Sequence, residues 1–168
     1  MKISLMNNIL EESIFNKTVD IYKELVGTGE MEYEGKGKDG SLWQRMYHHR
    51  HWWFDYLHNN QILELAKRMF GQEIKPSYSF LSYYFMNDSC CPIHSDRPQC
   101  KYSVDMVIFQ EKAWPIYIDF KKFEMNPNQA TFYSGTDHIH WRDKIEQGNK
   151  VALAFFHFVD SDFKGDLN

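Results

Sequence analysis

The segment His94-Ser95-Asp96 sets an imidazole and a carboxylate two residues apart. On a strand, residues i and i+2 point to the same side, so both groups can reach one ion from a single stretch of backbone. The spacing alone is weak, because a surface His–Asp pair has the same signature. A second piece is His138-Ile139-His140, where either ring could supply a third ligand because both face one side. Two imidazoles and one carboxylate leave coordination positions open, which suits iron(II) and is also acceptable to zinc. A third piece is Lys150, ten residues after His140, at the start of an apolar run. Lys150, Ala152 and Ala154 share one face by alternation, and a cation followed by two small residues predicts a cavity with a positive end. That cavity suits a dicarboxylate. A divalent ion, the Asp96 carboxylate, a dianion and the Lys150 ammonium sum to zero, which avoids burying an uncompensated charge.

Other chemistry-bearing residues fit less well. The run Arg45-Met46-Tyr47-His48-His49-Arg50-His51-Trp52-Trp53 could be a metal site, a substrate rim or a base-stacking platform. Its three histidines match no standard ligand spacing, and a structural role is the simpler reading. Cys90, Cys91 and Cys100 flank the metal motif, but adjacent cysteines are awkward ligands for one ion. Arg97 and Arg142 are candidates for the substrate rim, where a guanidinium could meet a carboxylate or phosphate. Trp114 and Trp141 read as core or pocket wall.

Helices come first along the chain and strands follow. Residues 9–26 carry a helical apolar stripe that Gly27-Thr28-Gly29 ends. Residues 30–41 are polar and Gly-rich and read as a loop or loose hairpin. Residues 54–70 form a second helix with Gly71 as its C-terminal cap. From Pro76 onward, short Tyr/Phe/Val/Ile runs alternate with Asn, Asp, Pro and Gly, at 77–86, 101–109, 115–120, 130–133, 138–141 and 150–159. Strands so spaced predict a sandwich or jelly roll. The expected organisation is one domain over 1–168, with a helical support region at 1–75 and a jelly-roll core at 76–160.

Bulk properties narrow the function. The 168 residues include 13 Phe, 10 Tyr and 5 Trp, enough rings for half-buried strands and pocket walls. The net charge of -4 argues against a nucleic-acid binder, and no run of 18 apolar residues predicts a membrane span. Three cysteines, two of them adjacent, argue against a disulfide framework and for a cytoplasmic setting.

Taken together, His94, Asp96, His140 and Lys150 resemble the pattern of the 2-oxoglutarate/iron(II) dioxygenases on their prolyl-hydroxylase-like side: His-x-Asp, a distal His, and a Lys or Arg about ten residues later. Gly148-Asn149-Lys150-Val151-Ala152-Leu153 looks like the family strand that carries this cation. The segments His94-Ser95-Asp96-Arg97-Pro98, Trp114-Pro115-Ile116 and His140-Trp141-Arg142 are similar to a microbial and phage branch. The likeness runs from about Pro76 to Val159. It implies a double-stranded β-helix, a mostly β jelly roll with N-terminal helices. It implies a hydroxylase that uses Fe(II), 2-oxoglutarate and O2, with His140 rather than His138 as the third ligand. Lys150 would pair with the distal carboxylate of 2-oxoglutarate and Tyr84 would hydrogen-bond the co-substrate. The Ser or Thr that often follows the family cation by two positions is Ala152 here, so one co-substrate hydrogen bond is missing. The implied partner is a small molecule or a peptide side chain. Three rivals remain: a cupin-like metalloprotein that does not use 2-oxoglutarate, a non-catalytic jelly-roll binding module, and a nucleic-acid demethylase of the same superfamily, which the acidic balance disfavours.

Overall fold

Two antiparallel sheets face each other, one of seven strands in the order β1-β9-β6-β11-β4-β3-β2 and one of four in the order β5-β10-β7-β8. The structure is a computed structural model that describes residues 2–36 and 43–168. The first half of the chain gives β1 (Ser4–Asn7), α1 (Glu12–Thr28), β2 (Glu32–Glu34), β3 (Arg45–His49), α2 (Trp52–Leu57) and α3 (Leu63–Phe70). The second half gives β4 (Ile74–Tyr84), β5 (Cys91–His94), β6 (Tyr102–Gln110), β7 (Ile116–Ile118), β8 (Lys121–Phe123), β9 (Gln129–Tyr133), β10 (His140–Arg142) and β11 (Val151–Asp160). This is a mostly β, jelly-roll arrangement. None of the described helices is long and apolar enough to cross a membrane.

The large sheet has two working faces, and β11 shows how they are divided. Ala152, Ala154, Phe156 and Phe158 join the core beneath the helices, beside Tyr22, Phe54, Leu57 and Ile62. Val151 and Leu153 belong to the core between the sheets, with Tyr84, Val107, Trp114 and Tyr133. Side chains alternate across a strand, so each residue of β11 is assigned to one face by its parity. The two alanines admit a helix: the Tyr22 hydroxyl donates to the Leu153 carbonyl at 3.2 Å, and its ring meets Phe109 edge-on.

Residues 1–75 are not purely helical, contrary to expectation. β1 pairs with β9, and β2 and β3 extend the large sheet beyond β4. These strands are three to five residues long, too short for a period-2 pattern to stand out in sequence. Part of the Gly-rich loop, residues 37–42, lies outside the described residues. The second helical stretch starts at Trp52 rather than 54 and contains a π-helical turn, His58–Ile62. There the Asn59 and Asn60 amides donate to the Asp55 and Tyr56 carbonyls at 2.7 Å each, competing for the backbone acceptors of the turn. Gly71 caps the stretch with φ 63°, the left-handed region that glycine enters without a Cβ clash.

His58 lies in this turn and packs edge-on against Phe158 at 4.5 Å. Burial and the neighbouring His157 push its imidazole down to about 3. The unfolded chain protonates this residue near pH 6.5, whereas the folded chain resists until about pH 3. Its contribution is therefore complete above about pH 6.5 and is lost as pH falls, by up to about 1.4 kcal/mol per pH unit. His58→Leu should make unfolding free energy between pH 6.5 and 4.5 less steeply pH-dependent by about one proton, as read from denaturant curves at several pH values. An unchanged slope would show that His58 carries its charge in the fold.

Candidate metal centre

His94 closes β5 and His140 opens β10, and the two residues are register partners across the small sheet. Their ring centroids stand 4.3 Å apart. Asp96 follows in the loop after β5, with its backbone N–H donating to the Gly135 carbonyl at 2.8 Å. A Cβ on Gly135 would meet Asp96 Oδ2 at 2.2 Å and the Cys100 carbonyl at 2.4 Å, so no larger residue fits beneath the carboxylate. From this position Asp96 Oδ1 faces His94 Nε2 at 3.5 Å and His140 Nε2 at 3.6 Å. Each imidazole is turned by its other nitrogen. His94 Nδ1 contacts the Pro92 carbonyl at 2.7 Å, and His140 Nδ1 contacts the His138 carbonyl at 3.0 Å. A carbonyl accepts only, so each Nδ1 carries a proton and each Nε2 is the atom turned toward Asp96, where a metal would bind by displacing any proton held there.

The donor set fits a divalent ion. One atom from each of His94, Asp96 and His140 lies within 4.8 Å of the others. Donors about 2.1 Å from one ion stand roughly 3.0–3.4 Å apart, close to the separations seen. Burial opposes charge on both His94 and Asp96, but their mutual contact outweighs it. His94 is raised to about 11 and Asp96 is held down to about 2, with His140 and His157 adding to the latter. The carboxylate is thus ionised at neutral pH. Its second oxygen accepts from Ser103 Oγ at 3.1 Å, and the same hydroxyl lies 3.1 Å from His157 Nδ1.

His138 does not join the group. It precedes β10, and its Nδ1 meets Asp119 Oδ2 at 2.5 Å. Tyr84 is buried in the cavity, where its hydroxyl accepts from Arg45 Nη1 at 3.3 Å. Lys150 lies elsewhere. It is exposed one residue before β11, with Nζ 3.4 Å from Glu111 Oε1, and it does not line the cavity. The shared face of Lys150, Ala152 and Ala154 exists, but it is the helix-covered face, and at the sheet end it opens to solvent. Register assigns the cavity side to Val151, Leu153, Phe155 and His157 instead.

Arg142 supplies the buried cation. It lies two residues beyond His140 on β10, so it faces the same interior. It is 2% exposed. Nη1 donates to the Trp114 carbonyl, while Nη2 is buried with no partner. Asp105 on β6 also projects into this interior, and its Oδ1 is likewise buried without a partner. Burial pushes the Asp105 carboxyl up to about 7, although Arg142 pulls the other way. Two unpartnered polar atoms of opposite character in a cavity of about 330 Å³ mark room for a polar ligand. Ser103, Asp105, Gly135 and His157 escaped the sequence reading. Ser103 and Asp105 did leave a signal: two polar residues on one face of an otherwise apolar strand.

No family model matches the chain, and no curated protein matches it in sequence. Solved structures do match it. SnoN from nogalamycin biosynthesis, a non-heme alpha ketoglutarate dependent epimerase, superposes with a TM-score of 0.78 at 10% identity, over 95% of this chain and 76% of that one. A complex of SnoN with Fe3+, alpha ketoglutarate and nogalamycin RO gives 0.76 at 9% identity, over 95% and 79%. A Pseudomonas putida prolyl-4-hydroxylase gives 0.68 at 11% identity, over 92% and 91%. The chain therefore has the fold of the 2-oxoglutarate/iron(II) oxygenases.

The Arg142–Asp105 arrangement has a measurable consequence for stability. Arg142 and Asp105 share no hydrogen bond, but each favours the other's charged form. Removing one of two such coupled buried charges costs about 3 kcal/mol, whereas replacing both with apolar groups is far less costly. Arg142→Met should lower the unfolding free energy by about 3 kcal/mol, and Arg142→Met with Asp105→Leu should recover most of it. Additive losses in the double variant would show that the two groups do not sense each other.

Proposed function

We propose that the chain is an iron(II)- and 2-oxoglutarate-dependent oxygenase, with His94, Asp96 and His140 holding the metal. The observation that carries this reading is the convergence of His94 Nε2, His140 Nε2 and Asp96 Oδ1 inside an oxygenase-type barrel. Iron(II) with 2-oxoglutarate and O2 would supply oxidation of a C–H bond coupled to decarboxylation of the co-substrate to succinate. The protein supplies position. Its backbone carbonyls fix both imidazole tautomers, Ser103 fixes the free carboxylate oxygen, and the barrel wall limits entry of water.

Arg142 takes over the role expected of Lys150. Its open Nη2 would pair with the distal carboxylate of 2-oxoglutarate, deep in the barrel beside Tyr84. Asp105, with its carboxyl raised to about 7, would be protonated opposite that anion and donate to it. Iron, Asp96, the co-substrate and Arg142 then sum to zero charge. We further propose hydroxylation of a small metabolite or a peptide side chain. Other outcomes occur on this fold, since SnoN is named an epimerase. The exposed position of Lys150 favours one rival, a metalloprotein of the same barrel that does not use 2-oxoglutarate.

Succinate release from 2-oxoglutarate with iron(II) separates the two readings. Asp96→Ala should abolish it, and retained turnover would refute the ligand assignment. Arg142→Lys keeps the charge but loses the fork, and should raise the KM for 2-oxoglutarate about tenfold. Ser103→Ala should weaken iron(II) binding ten- to a hundredfold by calorimetry, the usual cost of removing a group that orients a metal ligand.

A further inference from the structure

Resting on the oxygenase reading, we propose that Arg97 anchors the carboxylate of the substrate, which is a small carboxylic acid with an apolar body. Three arginines line the cavity. Arg45 is committed to Glu34, with Nη2 at 2.8 Å from Oε2. Arg142 is buried at the inner end. Arg97 is the one that reaches solvent, and among the described residues it makes no ion pair.

Arg97 directly follows Asp96, so its Cα stands about 3.8 Å from that of a proposed metal ligand. Its guanidinium lies over the Tyr78 ring at 4.9 Å, and the neighbouring Tyr78 hydroxyl and Cys100 thiol favour its charged form. Cys100 is itself within 4.8 Å of the Asp96 carboxylate and of His157. Stacking on the Tyr78 ring sets the guanidinium along the wall of the cavity that His94, Asp96 and His140 also line. Its remaining N–H groups are open to whatever enters. A guanidinium held in this way matches the two oxygens of a carboxylate.

The surroundings select the rest of the ligand. Around the entrance His49 packs on Tyr78 at 4.9 Å and on Phe80 at 6.1 Å, and Phe155 lies 6.2 Å from Phe80. Phe80, Phe155 and the ring faces of Tyr78 and His49 offer an aromatic wall, with the Tyr78 hydroxyl engaged by Cys100. One unpaired cation at the entrance suits a monoanion, and the aromatic wall suits a hydrocarbon body. The acids lining the cavity, Asp96 and Asp105, belong to the metal and the inner pocket, so neither competes for Arg97.

The test measures binding of matched pairs to the manganese(II)-loaded protein, with and without 2-oxoglutarate. The probes are phenylacetate, 3-phenylpropionate, 4-methylpentanoate and N-acetyl-leucine, each against its methyl ester. At least one acid should bind tenfold or more tightly than its ester. Arg97→Gln should bring that ratio to within twofold, Arg97→Lys should leave an intermediate ratio, and Lys150→Gln should leave it intact. A merely structural role for Arg97 would weaken acid and ester alike and keep the ratio, which overturns the proposal. Equal binding of every pair, no binding by any acid, or phenyl phosphate binding tenfold tighter than every acid overturns it as well. The ratio is read without turnover. A protein that discriminates acids through Arg97 yet never releases succinate would refute the oxygenase reading and leave the anchor standing.

Discussion

The arrangement of the Asp96 carboxylate is the constraint on which the site depends. One oxygen faces two imidazole nitrogens at 3.5 and 3.6 Å, and the other is held by Ser103. An ionised carboxylate in a largely buried place is costly unless every lone pair is used. Here the backbone helps to meet that demand. The Gly135 carbonyl fixes the loop, and the missing Cβ of Gly135 leaves the space the carboxylate fills. The pairing of β10 with β5 then delivers both imidazoles, because His94 and His140 are direct partners in register. A slip of one residue in that pairing would turn His140 and Arg142 outward together.

A second constraint is electrostatic. The barrel interior holds Arg142 and Asp105, each with an unpartnered buried atom, and Arg45 reaches Tyr84 from the neighbouring strand. Such groups are expensive to bury, and proteins keep them where a ligand completes them. The inner end of the cavity is accordingly polar and cationic, while its entrance is aromatic with one solvent-facing guanidinium. The two ends differ in depth as well as in chemistry. Under the proposed function, that difference would separate a deeply held dianion from a less buried second molecule.

The relation to SnoN and to the prolyl-4-hydroxylase at 10% and 11% identity shows how little of the sequence this architecture requires. The barrel needs apolar residues of the right parity and turns of the right length. The cation that completes the interior can be supplied from more than one strand, because several strands converge on the same volume. In this chain the buried cation is on β10, Arg142.

Much was legible in the sequence for reasons that are local. His94-Ser95-Asp96 is a spacing, the strand runs after Pro76 are a periodicity, and Gly71 is a helix end; each is set by residues adjacent in the chain. Residue types alone leave His138 and His140 open and the family likeness favours His140, but the placing of His140 opposite His94, and of β11 between β4 and β6, is set by the register of strands far apart in sequence. Lys150 shows the limit. It stands ten residues after His140 and alternates with Ala152 and Ala154, but alternation says only which residues share a face. Whether that face meets the other sheet or the helices is decided by packing, and α1 occupies the side of the alanines. The same packing turned Arg142 into the cavity that Asp105 also lines, a juxtaposition of two strands that no local pattern contains.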